Sequence, residues 1–436
     1  MPDSTHTLED TSPAPPSPNP PVFSSERAIT LKYELRRAVA AGVFETAGVF
    51  LLLIAIRHFQ TGENIKALVA VGAAGGHLFS PLSVSLATKF RLPAARAAAY
   101  LFLASAFLFM ISASVPYLAP FVIASLLGMI CAAAATPLLT QVYHDNYPAH
   151  ERGKLFSRAM FLRIATAAGF AFLAGWALDG RLQYFQILMA VFSAAGLYSA
   201  WCLLRVPSSP LAPSGSRNPL YALRYIKDDP TFRNALLSWM LMGISNLMML
   251  PLRIEYLGNP KYNITLYDKP LTAAMIALLV SVIPNIARLI MSPLWGAFFD
   301  RVNFFILRIA INLGFALAIL TFFTGNSFVG LIVGAILYGV SNAGGDLAWS
   351  LWVTKIAPAH RVAHYMSVHT FLTGVRGVCA PFLAFHLASQ LSLAQMAVFN
   401  AMLIGAACLI LIPEIVRFRN SDKAVPRAAE ELPEQS

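Results

Sequence analysis

Residues 272–301 read TAAMIALLVSVIPNIARLIMSPLWGAFFDR, and this stretch decides the fold. Its single ionisable side chain before the final Asp300-Arg301 pair is Arg288. A helix that crosses a bilayer needs about twenty mostly apolar residues, so the stretch is long enough. It therefore predicts a membrane-spanning helix over 272–298 that is followed by a polar loop.

Eleven further segments have the same character, and we number the twelve predicted spanning helices spans 1 to 12. Composition agrees, because 57% of the residues are hydrophobic and only 12% are charged, whereas charged residues make up about 25% of soluble domains. So little polar surface could not cover a soluble core of this size, and lipid is the expected solvent. The predicted spans are 38–59, 65–88, 95–115, 117–142, 158–178, 184–205, 233–256, 272–298, 303–324, 327–354, 364–388 and 394–416.

The net charge of +11 does not indicate nucleic-acid binding, because the basic residues are not clustered with aromatic side chains. They flank the apolar segments, and 23 of the 32 Lys and Arg residues, among them Arg37 and Arg308, fall on one side of the predicted membrane. Cytoplasmic loops carry such an excess. We therefore expect a cell (inner, cytoplasmic) membrane protein with both termini in the cytoplasm. The opposite side holds Arg57, Lys66, Arg181, Arg253, Lys261 and Lys269.

The chain contains an internal repeat. Ser80-Pro81-Leu82 matches Ser292-Pro293-Leu294, and Pro148-Ala149-His150 matches Pro358-Ala359-His360 at nearly the same spacing. Repeats of six helices each run in the same direction through the membrane, as in transporters built from two bundles. We predict an all-α integral membrane fold in two six-helix bundles.

The predicted organisation has five parts. The Pro-rich, polar start cannot bury enough apolar surface to order itself, and the segment between the bundles is rich in Pro, Ser and Gly. The parts are a disordered cytoplasmic tail (1–30), the N-terminal bundle (31–205), a cytoplasmic linker (206–232), the C-terminal bundle (233–418) and a second cytoplasmic tail (419–436).

Together with this organisation, the motif Gly296-Ala-Phe-Phe-Asp300-Arg301 after span 8 resembles the major facilitator superfamily. The pattern of that family is Gly-x-x-x-Asp-(Arg/Lys), followed by Gly and further basic residues. Asn303 and Phe304 depart from the continuation. The resemblance implies a carrier whose spans 1, 4, 7 and 10 line a central cavity.

The first-half copy of this motif is weaker. The repeat spacing places Val84 and Thr88 at the Gly and Asp positions, followed by Lys89 and Arg91. Glycine allows two helices to approach closely, and an acidic group at a helix end can pair with the other bundle in one state of a transport cycle. We therefore expect a cytoplasmic gate motif formed by Gly296, Asp300, Arg301, Lys89 and Arg91; the alternative is that Asp300-Arg301 only marks a helix end in water.

Ionisable residues inside the spans are the candidates for the transport site. A charge at the centre of a spanning helix costs about 2.5–3.5 kcal/mol, so such residues normally face a partner or a water-filled cavity. The candidates for binding the substrate or a coupling ion are Glu45, His77, Arg163, Arg288, Asp346, His369, Arg376 and the polar Asn246.

Depth in the membrane predicts which charges pair. Glu45 and Arg163 lie at similar depths in spans 1 and 5, which are neighbours in the resembled fold, so we predict an ion pair between them. Asp346 is predicted to pair with Arg288 or with Arg376. These pairs either hold helices together or take part in transport, with a carboxylate accepting a proton or an arginine binding an anionic solute.

We predict a secondary active transporter of a small solute, with protons as the hypothetical coupling ion through Glu45 or Asp346. The alternatives are an ion-independent facilitator and a non-transporting membrane sensor built on a transporter fold. No phosphate-binding loop, HExxH or Gly-x-Ser-x-Gly element is present, so we expect neither an enzyme nor an ATP-driven pump. The four cysteines are far apart in apolar segments and predict neither a metal site nor a disulfide.

The partners follow from this function. Three arginines against two carboxylates inside the spans give a slight lean towards an anionic solute. Beyond that solute and protons, we expect contact with the lipid bilayer, no nucleic acid, no cofactor, no metal, and a monomeric protein.

Overall fold

The structure is a computed structural model that describes residues 22–148, 151–210, 223–266, 269–325, 327–357 and 362–424. These residues are nearly all helical, as lipid requires, because only helices satisfy their backbone hydrogen bonds within one segment. The first six spans are Val22–Glu45 with Ala47–Arg57, Glu63–Lys89, Ala94–Ser114, Leu118–Ala134 with Thr136–Asn146, Arg152–Ala177, and Phe185–Leu203.

The second six spans follow a short helix, Tyr225–Asp228. They are Pro230–Gly258, Ala273–Arg301 (Ala273–Ala277, a π-helical turn Leu278–Val282, and Ile283–Arg301), Phe304–Thr324, Phe328–Ile356, Val362–Ala388 and Leu393–Ala424. Between spans 7 and 8, strands β1 (Thr265–Leu266) and β2 (Lys269–Pro270) form a small antiparallel hairpin. Single 3₁₀ turns precede span 6 (Leu182–Tyr184) and follow span 7 (Pro260–Tyr262).

The length and hydropathy of these helices agree with the predicted number of twelve spans. Within the described ranges, eleven helices are long and apolar enough to cross a membrane, and span 2 is the twelfth. It consists of Glu63–Gly72 and Ala74–Lys89, which are bent by 47° relative to one another. The predicted all-α integral membrane fold is confirmed.

The predicted ends of the chain need correction. Span 1 begins at Val22, so residues 22–30 are helical and not part of a disordered tail; residues 1–21 lie outside the described part. Span 12 continues to Ala424, beyond the predicted end of the span at 416 and of the bundle at 418, and residues 425–436 lie outside the described part. Span 1 extends because it gains contacts outside the bilayer, such as the 2.6 Å ion pair between Arg27 and Glu151.

Each set of six spans packs into a bundle, and three pairs of spans join the bundles: 2 with 11, 5 with 8, and 1 with 7. Small residues allow these contacts. A side chain at Gly374 would touch Leu78, and one at Gly175 would touch Ala277. In lipid, close packing of small residues replaces the hydrophobic effect as a source of helix association. The predicted domain limits, 31–205 and 233–418, stay a prediction.

One side of the molecule, which we call the terminal face, holds the start of span 1 and the end of span 12. The amide nitrogen of Asn146, at the end of span 4, donates to Thr30 Oγ1 (2.9 Å) and to the carbonyl of Pro207 (2.7 Å). In the second half, Thr231 at the start of span 7 donates to Glu414 near the end of span 12 (2.9 Å). The other side is the opposite face. The start of span 1 and the end of span 12 thus lie on one face, as an even number of spans requires. Of the second repeated tripeptide, Ala149, His150 and residues 358–360 lie outside the described part.

Span 1 and span 5 touch at Gly42, whose missing side chain leaves room for the carbonyl of Arg163 and for Thr166. We expect Gly42→Ala to lower the free energy of unfolding by about 1–3 kcal/mol, because overpacking forces the two helices apart. Thermal denaturation in detergent measures the change.

Gly48, in the same span, is the matched control, because a side chain there would meet no atom within 4 Å. Gly48→Ala should keep or slightly raise the stability, since alanine loses less backbone entropy in a helix. Equal melting temperatures for the two variants would contradict the close contact at Gly42.

Candidate functional site

Four charged side chains form a continuous row between the bundles, and we call them the charge network: Arg163, Glu45, Arg288 and Asp346. Arg163 Nε lies 2.7 Å from Glu45 Oε2, and Arg288 Nη1 lies 2.7 Å from Glu45 Oε1. Arg288 Nε lies 2.5 Å from Asp346 Oδ2. The contact between Glu45 and Arg288 joins span 1 of one bundle to span 8 of the other, so the network connects the two halves of the protein.

Local structure places these side chains. Glu45 ends the first helix of span 1, at a break where Thr46 N–H bonds back to the carbonyl of Val43 at 3.1 Å. The close approach at Gly42 brings Arg163 of span 5 beside it. In the other bundle, Gly339 of span 10 lies against the carbonyl of Pro284, which holds Asp346 and Arg288 on adjoining helices.

The network is partly exposed although it lies within the spans. The side chain of Arg288 is 8% exposed, that of Glu45 21%, that of Arg163 41% and that of Asp346 44%. Charges that stay exposed at this depth need a water-filled space. The network therefore lines an opening between the bundles, and its two guanidinium groups balance its two carboxylates.

The opposite face is closed by contacts between the bundles, which we call the opposite seal. Lys66 Nζ of span 2 lies 2.8 Å from Glu255 Oε1 of span 7, and both side chains are buried. Arg57 Nε, at the end of span 1, donates to the carbonyl of Gly258 at 2.8 Å and so caps span 7. Burial raises the pKa of the adjacent Tyr262 phenol, and the nearby Glu255 carboxylate adds to this effect, so the phenol stays neutral at physiological pH.

The opening faces the terminal face. There a side chain at Gly296 would meet no atom within 4 Å, and Lys89, Arg91 and Arg301 are exposed. The expectation that Gly296 brings two helices together is therefore wrong for this conformation, because no neighbouring helix lies close to it. The side chain of Asp300 lies outside the described part of the chain, and the gating role of the motif stays a prediction.

The predicted pairs of the network are present. Glu45 pairs with Arg163, and Asp346 pairs with Arg288. The alternative pairing of Asp346 with Arg376 is wrong, because Arg376 is buried inside the C-terminal bundle and donates to the backbone carbonyl of Trp239. The contact between Glu45 and Arg288 was not predicted, since depth along a single helix does not indicate which helices of two bundles meet.

Three other candidate residues lie apart from the network. His77 of span 2 is half-buried, with its ring centroid 6.5 Å from that of Trp349. His369 is fully buried among tryptophans of the C-terminal bundle. Asn246 is half-buried and lines a narrow hollow with Arg253 inside the same bundle. The structure does not bring them together with Glu45.

Sequence reasoning missed seven buried charges: Glu34, Arg37, Lys66, Arg253, Glu255, Arg308 and Glu414. Arg37 and Arg308 were counted with the loops, but Arg37 is buried against Glu34 (2.6 Å), and Arg308 is 1% exposed in span 9. Lys66 and Glu255 form the opposite seal. All seven lie near predicted span ends, where hydropathy does not separate a solvated charge from a buried one. The sequence signal that could have revealed the opposite seal is the Glu255 carboxylate, which lies within the apolar run of span 7. Among the described residues, no group of three or more His, Cys, Asp or Glu could hold a metal.

Comparisons with known proteins agree with this architecture. The family model of the Major Facilitator Superfamily matches residues 37–303. No curated protein matches the chain significantly in sequence. The first of the similar solved structures is a mutant of the nucleoside transporter NupG, with a TM-score of 0.71, 12% identity, and coverage of 88% of this chain and 99% of that one.

Two further solved structures have the same fold. A D-xylose–proton symporter has a TM-score of 0.63 and 18% identity, over 90% of this chain and 97% of that one. The xylose transporter XylE from E. coli, in a partially occluded inward-open conformation, has a TM-score of 0.62 and 16% identity, over 89% of this chain and 97% of its own. Identities this low establish the fold alone.

The different exposure of the two arginines leads to a prediction. Arg288→Gln removes the partner of two carboxylates from a buried position, so we expect the free energy of unfolding to fall by about 3 kcal/mol or more. Arg163→Gln removes a charge that is 41% exposed, and water can replace it, so the loss should stay below about 1 kcal/mol. Thermal denaturation in detergent measures both. Equal losses would mean that Arg288 is as well solvated as Arg163.

Proposed function

The chain belongs to the Major Facilitator Superfamily, and on that premise we propose that it is a secondary active transporter of a small solute. The two bundles would rock about the charge network and expose it to each side of the membrane in turn. The observation that carries the proposal is the ion pair between Glu45 and Arg288, because it lies within the spans, is partly exposed, and joins the two bundles.

The charge network supports coupling to protons. A proton on Glu45 would remove the negative charge that holds Arg163 and Arg288 together. It would thereby release the bond between the bundles and leave Arg163 without its carboxylate, while Arg288 keeps its contact with Asp346. An anionic group of a solute could take the place of the carboxylate, so that the proton and the anion enter together and the network stays neutral. One of the similar structures is a proton symporter of D-xylose, so this fold accommodates such coupling.

The opposite seal supports alternating access. The described conformation has the network open towards the terminal face and closed by Lys66, Glu255 and Arg57 on the other. Release on the other side requires these contacts to break while the terminal face closes. The excess of basic residues favours a cytoplasmic terminal face, in which case the described conformation would be open to the cell interior. A reporter fused to the C-terminus tests this orientation.

The proton hypothesis predicts the behaviour of Glu45→Gln. In vesicles with an imposed pH gradient, this variant should lose at least tenfold in gradient-driven accumulation, because glutamine cannot take up and release a proton. It should retain exchange of labelled for unlabelled solute, which needs no net proton movement. The solute is found first by screening purified protein against a metabolite panel for raised thermal stability.

Glu34→Gln is the matched control. Glu34 also lies in span 1 and pairs with an arginine, Arg37, but the pair stays within one bundle. This variant should keep its gradient-driven accumulation per folded molecule. If Glu45→Gln and Asp346→Asn both accumulate solute as well as the wild type, proton coupling through the network is wrong. Transport that ignores the pH gradient in every variant would favour an ion-independent facilitator.

The seal predicts a shift in conformation. Glu255→Gln removes the carboxylate that Lys66 contacts, so the opposite face should open more often. The substitution Asn342→Cys, one turn before Asp346 in span 10, reports this opening when the four native cysteines have been replaced. Membrane-impermeant maleimide should label it only from the terminal side in the wild type, and from both sides in Glu255→Gln.

Lys261→Gln is the control for the seal. Lys261 Nζ lies 3.6 Å from the same oxygen of Glu255, but it is 46% exposed and belongs to the segment that directly follows span 7, so it does not join the bundles. Its labelling should match that of the wild type. If Glu255→Gln is also labelled from one side only, the ion pair between Lys66 and Glu255 does not keep this face closed.

A further inference from the structure

A second set of buried cations lies inside the C-terminal bundle, and we call it the cationic cluster: Arg308, Arg376 and His369. Both arginines contact Trp239 of span 7. The guanidinium carbon of Arg308 lies 3.4 Å from the centroid of the Trp239 ring, and Arg376 donates to the Trp239 carbonyl. The ring centroid of His369 lies 5.2 Å from that of Trp239. Spans 7, 9 and 11 thus meet at this cluster.

The cluster is closed to solvent and has donors without acceptors. Arg308 is 1% exposed, Arg376 5% and His369 0%. Within the described part of the chain, none of the three side-chain nitrogens of Arg308 has a hydrogen-bond partner, nor does Nε of Arg376 or either ring nitrogen of His369. Unused donors of a buried charge are costly, because water no longer solvates them.

Among the described residues, no carboxylate neutralises these charges. The buried carboxylate of Glu414 in the same bundle already accepts from Thr231 (2.9 Å), Asn234 (2.8 Å) and Arg417 (3.0 Å). The Trp239 ring stabilises Arg308, but a cation–π contact offsets only part of the cost of burying a guanidinium group. A second unpaired charge, on Arg376, adds to this cost inside the membrane. The cluster lacks an anion.

The neighbouring tryptophans indicate what size of anion fits. The Trp352 ring centroid lies 5.2 Å from that of His369 and 6.1 Å from that of Trp239, and both indoles are buried. Their Nε1 atoms also lack acceptors within the described residues. Closely spaced rings leave no room for a metabolite, but indole and guanidinium N–H groups together can surround a single small ion.

We propose that the cationic cluster binds one small monovalent inorganic anion, such as chloride, between Arg308 and Arg376. The ion supplies the missing negative charge and accepts from the unused N–H groups. It reaches the site past Trp349, whose ring lies 5.7 Å from His369 and 6.5 Å from His77 at the edge of the opening between the bundles. The site is separate from the charge network and does not depend on the transported solute.

Thermal unfolding of the full chain in detergent tests the site, with sodium chloride exchanged for sodium gluconate at constant ionic strength. An ion that binds only the folded protein raises Tm in a saturable way. We expect this rise in the wild type and its loss in Arg308→Met. Without chloride, Arg308→Met should melt at a higher temperature than the wild type, because it lacks the uncompensated charge.

Arg205→Met is the matched control, since the Arg205 guanidinium also stacks on a tryptophan, Trp201, at 4.0 Å but is exposed. It should respond to chloride as the wild type does. Equal Tm values in chloride and gluconate, or the same chloride response in Arg308→Met and wild type, would overturn the proposal. A larger rise with phosphate or acetate than with chloride would overturn the assignment to a small inorganic anion.

A binding measurement on the wild type keeps the test independent of variants that fail to fold. Equilibrium dialysis with chloride-36 should give saturable binding that approaches one ion per chain and is displaced by bromide. The absence of saturable binding would remove the site whatever the behaviour of Arg308→Met.

Discussion

A charge inside a bilayer must be matched by an opposite charge, by water or by a ligand, and the arrangement of this protein depends on that constraint. The apolar lengths of the spans determine that helices cross the membrane, but they do not determine how the helices associate. The Glu45–Arg288 and Lys66–Glu255 ion pairs link the bundles at two depths. Together, these two ion pairs determine which helix faces meet across the interface between the bundles. Glu45 of the first pair is 21% exposed, whereas both side chains of the second pair are buried.

Small residues determine how closely the helices that carry these charges approach one another. Lipid gives helices no hydrophobic reason to associate, so they approach most closely where a side chain is missing. Gly42 brings span 5 against span 1, and Gly339 brings span 8 against span 10. Each of these contacts lies within one or two helical turns of a charged pair. The glycines therefore determine the distance between the charges, and the charges determine which way each helix is turned.

The sequence predicts this fold well and its site in part, for reasons visible in particular residues. Long apolar runs identify the spans, because lipid sets their length. Depth along a span predicts the pairs of Glu45 with Arg163 and of Asp346 with Arg288, since both partners belong to one bundle and neighbouring helices. The bond between Glu45 and Arg288 could not be predicted, because it depends on how the two bundles dock. Arg308 was misplaced for a related reason: four residues from the start of a span, only the tertiary packing on Trp239 separates a buried guanidinium from a solvated one.

The contrast between the two sets of buried charges indicates which of them can change during transport. Within the charge network each cation has a carboxylate partner and three of the four side chains are partly exposed, so a proton or an anion can exchange there without leaving a bare charge in lipid. The cationic cluster has neither property. Its arginines lie behind Trp239 with no carboxylate among the described residues, and opening it would expose two charges at once. A cyclic motion should therefore leave the interior of the C-terminal bundle intact and act on the interface between the bundles, where every bond that breaks can be replaced by water or solute.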